Sequence, residues 1–133
     1  MGHGVIYDFI QKLKRNPEEL EILGDGHQEK PFFLVEDCVD GMLCAFHNYD
    51  NQCDVYNLGC EPFSSVTRIA RIVTEEIGLD DVRFKNTGGK RGWRGDVPVI
   101  RFNVDKMVGM GWRAKHTSDD AVRVAARRLL GKE

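Results

Sequence analysis

Chemistry in this chain concentrates between Thr87 and Pro98, which reads Thr-Gly-Gly-Lys-Arg-Gly-Trp-Arg-Gly-Asp-Val-Pro. The stretch holds four of the chain's 14 glycines, three cations, one of its two tryptophans and one aspartate. Glycine lets a backbone approach a ligand closely. Lys90, Arg91 and Arg94 carry donors for phosphate, the arginines as planar forks. Trp93 offers a face for stacking on a ring. A solvated surface loop has the same composition, so the rest of the chain must decide. Gly89-x-x-Gly92-x-x-Gly95 copies the spacing of a dinucleotide-binding fingerprint. That fingerprint has to close a strand and open a helix. Here Pro98 follows and no apolar helical stripe begins, so the spacing is read as coincidental. Arg94-Gly95-Asp96 spells an adhesion tripeptide, also read as chance.

Other reactive side chains are scattered. Cys38, Cys44, Cys53 and Cys60 include no C-x-x-C pair and no zinc-ribbon spacing. They are expected to be buried thiols in a reducing cytosol. His27, His47 and His116 are too dispersed to complete a metal site. The one nucleophile–base combination, Cys53 or Cys60 with His47, has no third group to orient it.

The 133 residues set a single domain as the expectation. A 41% hydrophobic and 30% charged composition excludes a disordered chain. No run approaches the roughly 20 apolar residues of a membrane span. The start has neither a basic region followed by an apolar core nor a myristoylation pattern, so a cytoplasmic protein is expected. The net charge of −2 argues against a general nucleic-acid binder. The charge is uneven, however. Residues 83–106 carry seven cations against two carboxylates, a local +5 that leaves −7 elsewhere. Such a stripe suits a phosphorylated small molecule, or a nucleic-acid strand whose binding would fall steeply with salt.

The elements that must position these residues follow from periodicity. Ile6, Phe9, Ile10 and Leu13 form one helical stripe, ended at Asn16-Pro17. A helix this close to the N-terminus suggests either a missing upstream part or packing on another chain. Strands are expected at 20–23, 32–35, 54–59, 82–85 and 99–102. A helix is expected from Glu36 to His47, with Val39, Met42, Leu43 and Phe46 as its core side. Ser64 or Ser65 caps the next helix, whose stripe is Val66, Ile69, Ala70, Val73 and Ile77 and whose stop is Gly78. Asn103 caps a single-turn helix to about Met110, closed by Gly111-Trp112. Thr117 and Asp120 suit a capping box for a last helix with Val122, Ala125, Ala126 and Leu129 inside. Alternating helices and short strands make a small mixed α/β domain.

In that order, five anchors resemble the NAD-dependent epimerase/dehydratase family, the extended short-chain dehydrogenases that include UDP-glucose 4-epimerases. They are Leu20-Glu21-Ile22-Leu23-Gly24-Asp25-Gly26, Phe33-Leu34-Val35-Glu36-Asp37-Cys38-Val39, Val55-Tyr56-Asn57-Leu58-Gly59, Gly92-Trp93-Arg94-Gly95-Asp96-Val97-Pro98 and Met110-Gly111-Trp112. The resemblance covers nearly the whole chain but only the family's smaller C-terminal lobe, which grips the nucleotide-sugar. The family's acid–base pair is a Tyr followed four residues later by Lys. Here Tyr7, Tyr49 and Tyr56 are followed at that distance by Gln11, Cys53 and Cys60. The resemblance thus implies a substrate-binding lobe without its NAD-binding Rossmann domain, holding no cofactor and inactive alone.

The resemblance also implies roles. The strand before Gly24 would supply backbone contacts to a uracil ring, from Glu21, Ile22 and Leu23. Lys30, seven residues before Asp37, stands where epimerases carry a diphosphate-binding Arg, and as a point charge it would bind less tightly. Val66 would line the nucleotide pocket. Asp96 would hold the ribose. Trp93 occupies the position of a family Arg, which shifts phosphate binding to Arg94, or to Arg91. The expected ligand is a UDP-sugar. A stand-alone nucleotide-sugar sensor or an interaction module is the alternative. The Rossmann domain in trans, or a second copy, is the expected protein partner.

Overall fold

The computed structural model describes residues 3–50 and 53–132. Helix α1 (Val5–Arg15) buries Phe9, Ile10 and Leu13. It ends where Asn16 turns extended ahead of Pro17. Strand β1 (Glu19–Ile22) buries Leu20 and Ile22, and strand β2 (Glu29–Lys30) follows the glycine turn. Helix α2 (Val35–Asn48) comes next. Strand β3 (Ser64–Ser65) runs directly into helix α3 (Val66–Ile77). The Ser65 hydroxyl accepts the Arg68 N–H, and Gly78 ends α3 at φ 85°. Strand β4 (Arg83–Asn86), the short helix α4 (Asp105–Gly109) and helix α5 (Ser118–Leu129) complete the order. Among the described residues no helix is long and apolar enough to cross a membrane.

β1 and β4 pair in parallel, with Leu20 opposite Phe84 and Ile22 opposite Asn86. A parallel pair needs a crossover, and the intervening α2 and α3 supply it. β2 and β3 pair antiparallel over two residues. The core forms where α1, α3 and α5 meet β1. Phe9, Ile10, Leu13, Leu20, Ile22, Ile69, Ile72, Val73, Val122 and Ala126 meet there. Each buried Ile or Leu contributes about 1.5–3 kcal/mol. Arg123 on α5 reaches both Glu76 (2.6 Å) and Glu75 (2.8 Å) and clips α5 to α3. Thr117 and Asp120 form the expected capping box.

Several expected elements differ. The α1 stripe packs into its own domain, not onto another chain. Residues 32–35 are not a strand. The Phe32 N–H goes to the Ser118 hydroxyl (3.1 Å), and the Leu34 carbonyl already accepts from Cys38 at the start of α2. Residues 54–59 make no ladder. Side chains pin them instead: Lys106 donates to the Val55 carbonyl (3.1 Å) and Asn57 to that of Asn103 (3.2 Å). At 99–102 only Val99 bridges, to Glu29, while Arg101 stacks 5.8 Å over Phe63. The Asn103 side chain accepts the Asp105 N–H in front of α4, one residue earlier than a cap. The apolar stripe of α2 is exposed, Phe46 by 74%, while Asp37 and Gly41 are buried. Leu129 is also exposed. Only Cys60 of the four thiols is buried, and Cys53 is exposed.

Candidate functional site

A cleft of about 280 Å³ opens where the first turn of α1, the end of β1, β2, the start of α3 and the 87–98 loop converge. Glycines allow the convergence. Gly24 sits at φ 84°, and a Cβ there would lie 2.1 Å from the Gln28 amide nitrogen. The 87–98 loop is tied at both ends. At one end the Gly24 N–H donates to the Thr87 hydroxyl (2.9 Å). At the other the Glu29 N–H donates to the Pro98 carbonyl (2.8 Å). Between these ties Gly92, Trp93 and Asp96 form one wall of the cleft.

Asp96 is the charged centre of that wall, with 6% of its surface exposed. Its Oδ1 takes the Lys30 ammonium at 2.5 Å, and its Oδ2 the Gly92 N–H at 3.0 Å. Burial works to raise the carboxyl pKa. The Lys30 and Gly92 hydrogen bonds outweigh it and hold Asp96 below the ordinary carboxylate value. Asp96 is thus ionised at neutral pH. Trp93 lines the same cleft with its ring laid against Gly95, where a Cβ would meet the ring at 2.3 Å.

Of the residues singled out in sequence, Leu23, Lys30, Val66 and Asp96 all line this cleft. Ile22 is fully buried in the core beneath it. Glu21 points the other way, with its carbonyl accepting from Lys12 (3.3 Å) and its carboxylate 3.6 Å from the same ammonium. Arg91 and Arg94 lie exposed on the loop that forms the wall. The cleft also contains Asp8 and Phe9 of α1, and Gln28. Asp8 and Phe9 were hidden in an ordinary amphipathic helix. Gln28 had a faint signal, a polar residue between a glycine turn and a strand.

The glycine spacing 89–95 forms no dinucleotide cradle. It leads through Pro98 to an isolated bridge at Val99, and the next helix is the five-residue α4. The loop thus lacks the strand–loop–helix setting in which that spacing is a dinucleotide fingerprint. Among the described residues no group of three or more His, Cys, Asp or Glu is placed to hold a metal.

The NAD dependent epimerase/dehydratase family model matches residues 2–59. A UDP-galactose 4-epimerase is 35% identical with a TM-score of 0.81, over 99% of this chain and 41% of its own. The UDP-glucose 4-epimerase of Thermotoga maritima, solved with UDP-glucose, is 25% identical with a TM-score of 0.74, over 96% of this chain and 40% of its own. A variant UDP-glucuronic acid 4-epimerase of Bacillus cereus, solved with a UDP-sugar and NAD, shares the fold. Its identity is 17% and its TM-score 0.77, over 98% of this chain and 40% of its own. No curated protein matches the chain. The fold is therefore that of a region of the sugar-nucleotide epimerases, and the chain spans about two fifths of their length.

Proposed function

We propose that this chain is the nucleotide-sugar-binding, C-terminal portion of an NAD-dependent sugar epimerase or dehydratase. The carrying observation is the convergence of Leu23, Lys30, Val66 and Asp96 on one cleft, four residues to which the family resemblance assigns ligand contacts. Asp96 offers an ionised acceptor for ribose hydroxyls. Lys30 has 32% of its side chain exposed and can turn from Asp96 to a phosphate oxygen. Leu23 presents backbone at the base end. Arg91 and Arg94 flank the loop and draw the diphosphate in, Arg94 first. The residues at this site bind and orient. Hydride transfer belongs to NAD, which the family's other portion would hold.

Calorimetric titration with UDP and UDP-glucose tests the reading. Binding is expected, weakened at least tenfold by Asp96→Ala, the loss of one charged hydrogen-bond partner. Absence of binding to both ligands overturns it. Incubation of the chain with NAD⁺ and UDP-glucose is expected to give no UDP-galactose, and turnover would overturn the claim that it works only as a portion.

A second reading, a binding partner for another chain, is favoured by α2. Val35, Val39, Met42 and Phe46 follow one another at spacings of four, three and four residues, and all are exposed. An unburied helical seam of this kind marks an interaction surface. In this reading it seats a cofactor-binding portion supplied in trans.

A further inference from the structure

Residues 54–59 lack the ladder expected of them, yet they keep the period of a strand. Cys53, Val55 and Asn57 are exposed, while Asp54, Tyr56 and Leu58 are half-buried. α4 holds them in place. Lys106 pairs with Asp54, donates to the Val55 carbonyl at 3.1 Å and sits 4.3 Å from the centre of the Tyr56 ring. The Val55 N–H donates to the Asp54 carboxylate at 2.8 Å. Both main-chain groups of Val55 are thus met within the chain. In a strand the residues on either side of it direct theirs to the opposite edge. There, among the described residues, the main-chain groups of Asp54 and Tyr56 have no protein partner. Sheets usually guard such an edge with charge or proline. The outward side chains here are Cys53, Val55 and Asn57, none of them charged.

The edge is complementary to itself. With a two-fold axis at Val55, Asp54 of one copy stands opposite Tyr56 of the other, twice over. Each such pair can exchange two main-chain hydrogen bonds through the groups left free. Val55 meets Val55 in the closer, non-hydrogen-bonded position, where two apolar side chains pack, and each is 76% exposed in the single chain. Cys53 faces Asn57. An axis at Asp54 instead would oppose two carboxylates. The surface beside the edge is equally compatible. A Cβ at Gly41 would meet Leu58 at 2.8 Å, so the segment ends against α2, whose apolar stripe is exposed. The carboxylates flanking that stripe are closed within the chain, Glu36 on Arg128 (2.6 Å) and Asp40 on Lys115 (3.1 Å). Two identical faces can therefore meet without like charges opposed.

We propose that a second copy of this chain covers this edge, pairing residues 54–56 antiparallel about a two-fold axis at Val55, with the α2 stripes beside the new ladder. The pairing does not depend on the cleft being a nucleotide-sugar site.

The test places a cysteine at the axis. In a Cys53→Ser background, Val55→Cys and Asn57→Cys are oxidised with glutathione disulfide and followed on non-reducing gels, with folding checked by circular dichroism. The two Val55→Cys positions would lie about 4.5 Å apart between Cα atoms, within disulfide reach. The two Asn57→Cys positions would be offset by about 13 Å along the strands. Val55→Cys is expected to give a disulfide-linked dimer about tenfold faster than Asn57→Cys or the background. Equal rates, or no dimer from Val55→Cys, overturn the pairing even if the chain associates through another face. Amide exchange of the wild type needs no variant to fold. The Asp54 and Tyr56 amides should exchange more slowly as protein concentration rises. Exchange independent of concentration at both amides also overturns the proposal.

Discussion

Asp96 shows how a single buried carboxylate links stability to pH. Its pKa is lowered in the fold, because hydrogen bonds from Lys30 and Gly92 more than offset the cost of burial. The native state therefore binds this proton less tightly than the unfolded chain does. The stabilisation is fully present above the unfolded value of about 4 and is lost as pH falls through the lowered folded value. In urea melts, wild type should exceed Asp96→Asn at pH 7, and the gap should close as pH drops from about 5 towards 3. A constant gap would show that the carboxylate's charge plays no part. Cys60 shows the opposite sign. Burial, helped by the nearby Asp37 and Glu61 charges, raises its thiol to about 11, and its Sγ–H donates to the Phe32 carbonyl at 2.9 Å. Its stabilisation is present below the ordinary thiol value and is lost as pH rises from about 9 to 11. An aromatic disulfide reagent at pH 8 should modify the exposed Cys53 quickly and Cys60 only on unfolding. Fast labelling of Cys60 in the native state would contradict the burial.

At the scale of elements, the helices were legible in the sequence and most strands were not. α1, α3 and α5 each carry a long apolar stripe bounded by a local signal: a stop at Asn16 before Pro17, a stop at Gly78 in the left-handed region, and a start at the Thr117–Asp120 box. Those signals are local, so sequence displays them. The box is expected to matter. Thr117→Ala should cost about 1 kcal/mol in a denaturant melt, and restoring a cap with Thr117→Ser should recover most of it. An unchanged melt for Thr117→Ala would show that the packing of α5 does not need its cap. β1 and β4 were legible because each alternates over four residues and they pair with each other. The expected strands at 32–35, 54–59 and 99–102 were apolar runs whose backbone groups are met by side chains, caps or a single bridge, information that no window of sequence contains. The candidate site divided in the same way. Asp96, Lys30 and Val66 carried sequence signals, while Asp8, Phe9 and Gln28 entered the cleft only through tertiary placement.

For the whole molecule the decisive contrast is between α1 and α2. Both carry an apolar stripe. α1 buries its stripe between α3 and α5, yet α2 leaves Val35, Val39, Met42 and Phe46 in solvent. Burying one such side chain is worth about 1.5–3 kcal/mol, so four adjacent ones form a strong incentive to associate. Gly41 explains why the other side of α2 stays with the domain. A Cβ at this position would press to 2.8 Å against Leu58 and the Trp112 ring, so the helix lies close there and its large side chains are turned outward. The sugar-nucleotide epimerases that share this fold are about two and a half times as long, as this chain covers 40–41% of each. The seam of α2 is where a further domain would find apolar surface to cover. Without such a cover the purified chain should associate with itself as its concentration rises. Sedimentation velocity should show the average mass climbing, and Phe46→Glu should hold it at that of one chain. Because Phe46 is exposed, the substitution should leave the thermal midpoint of the monomer within about a degree or two, as surface changes usually do. A chain that stays monomeric at high concentration, or a Phe46→Glu variant that associates as before, would remove α2 as the docking surface.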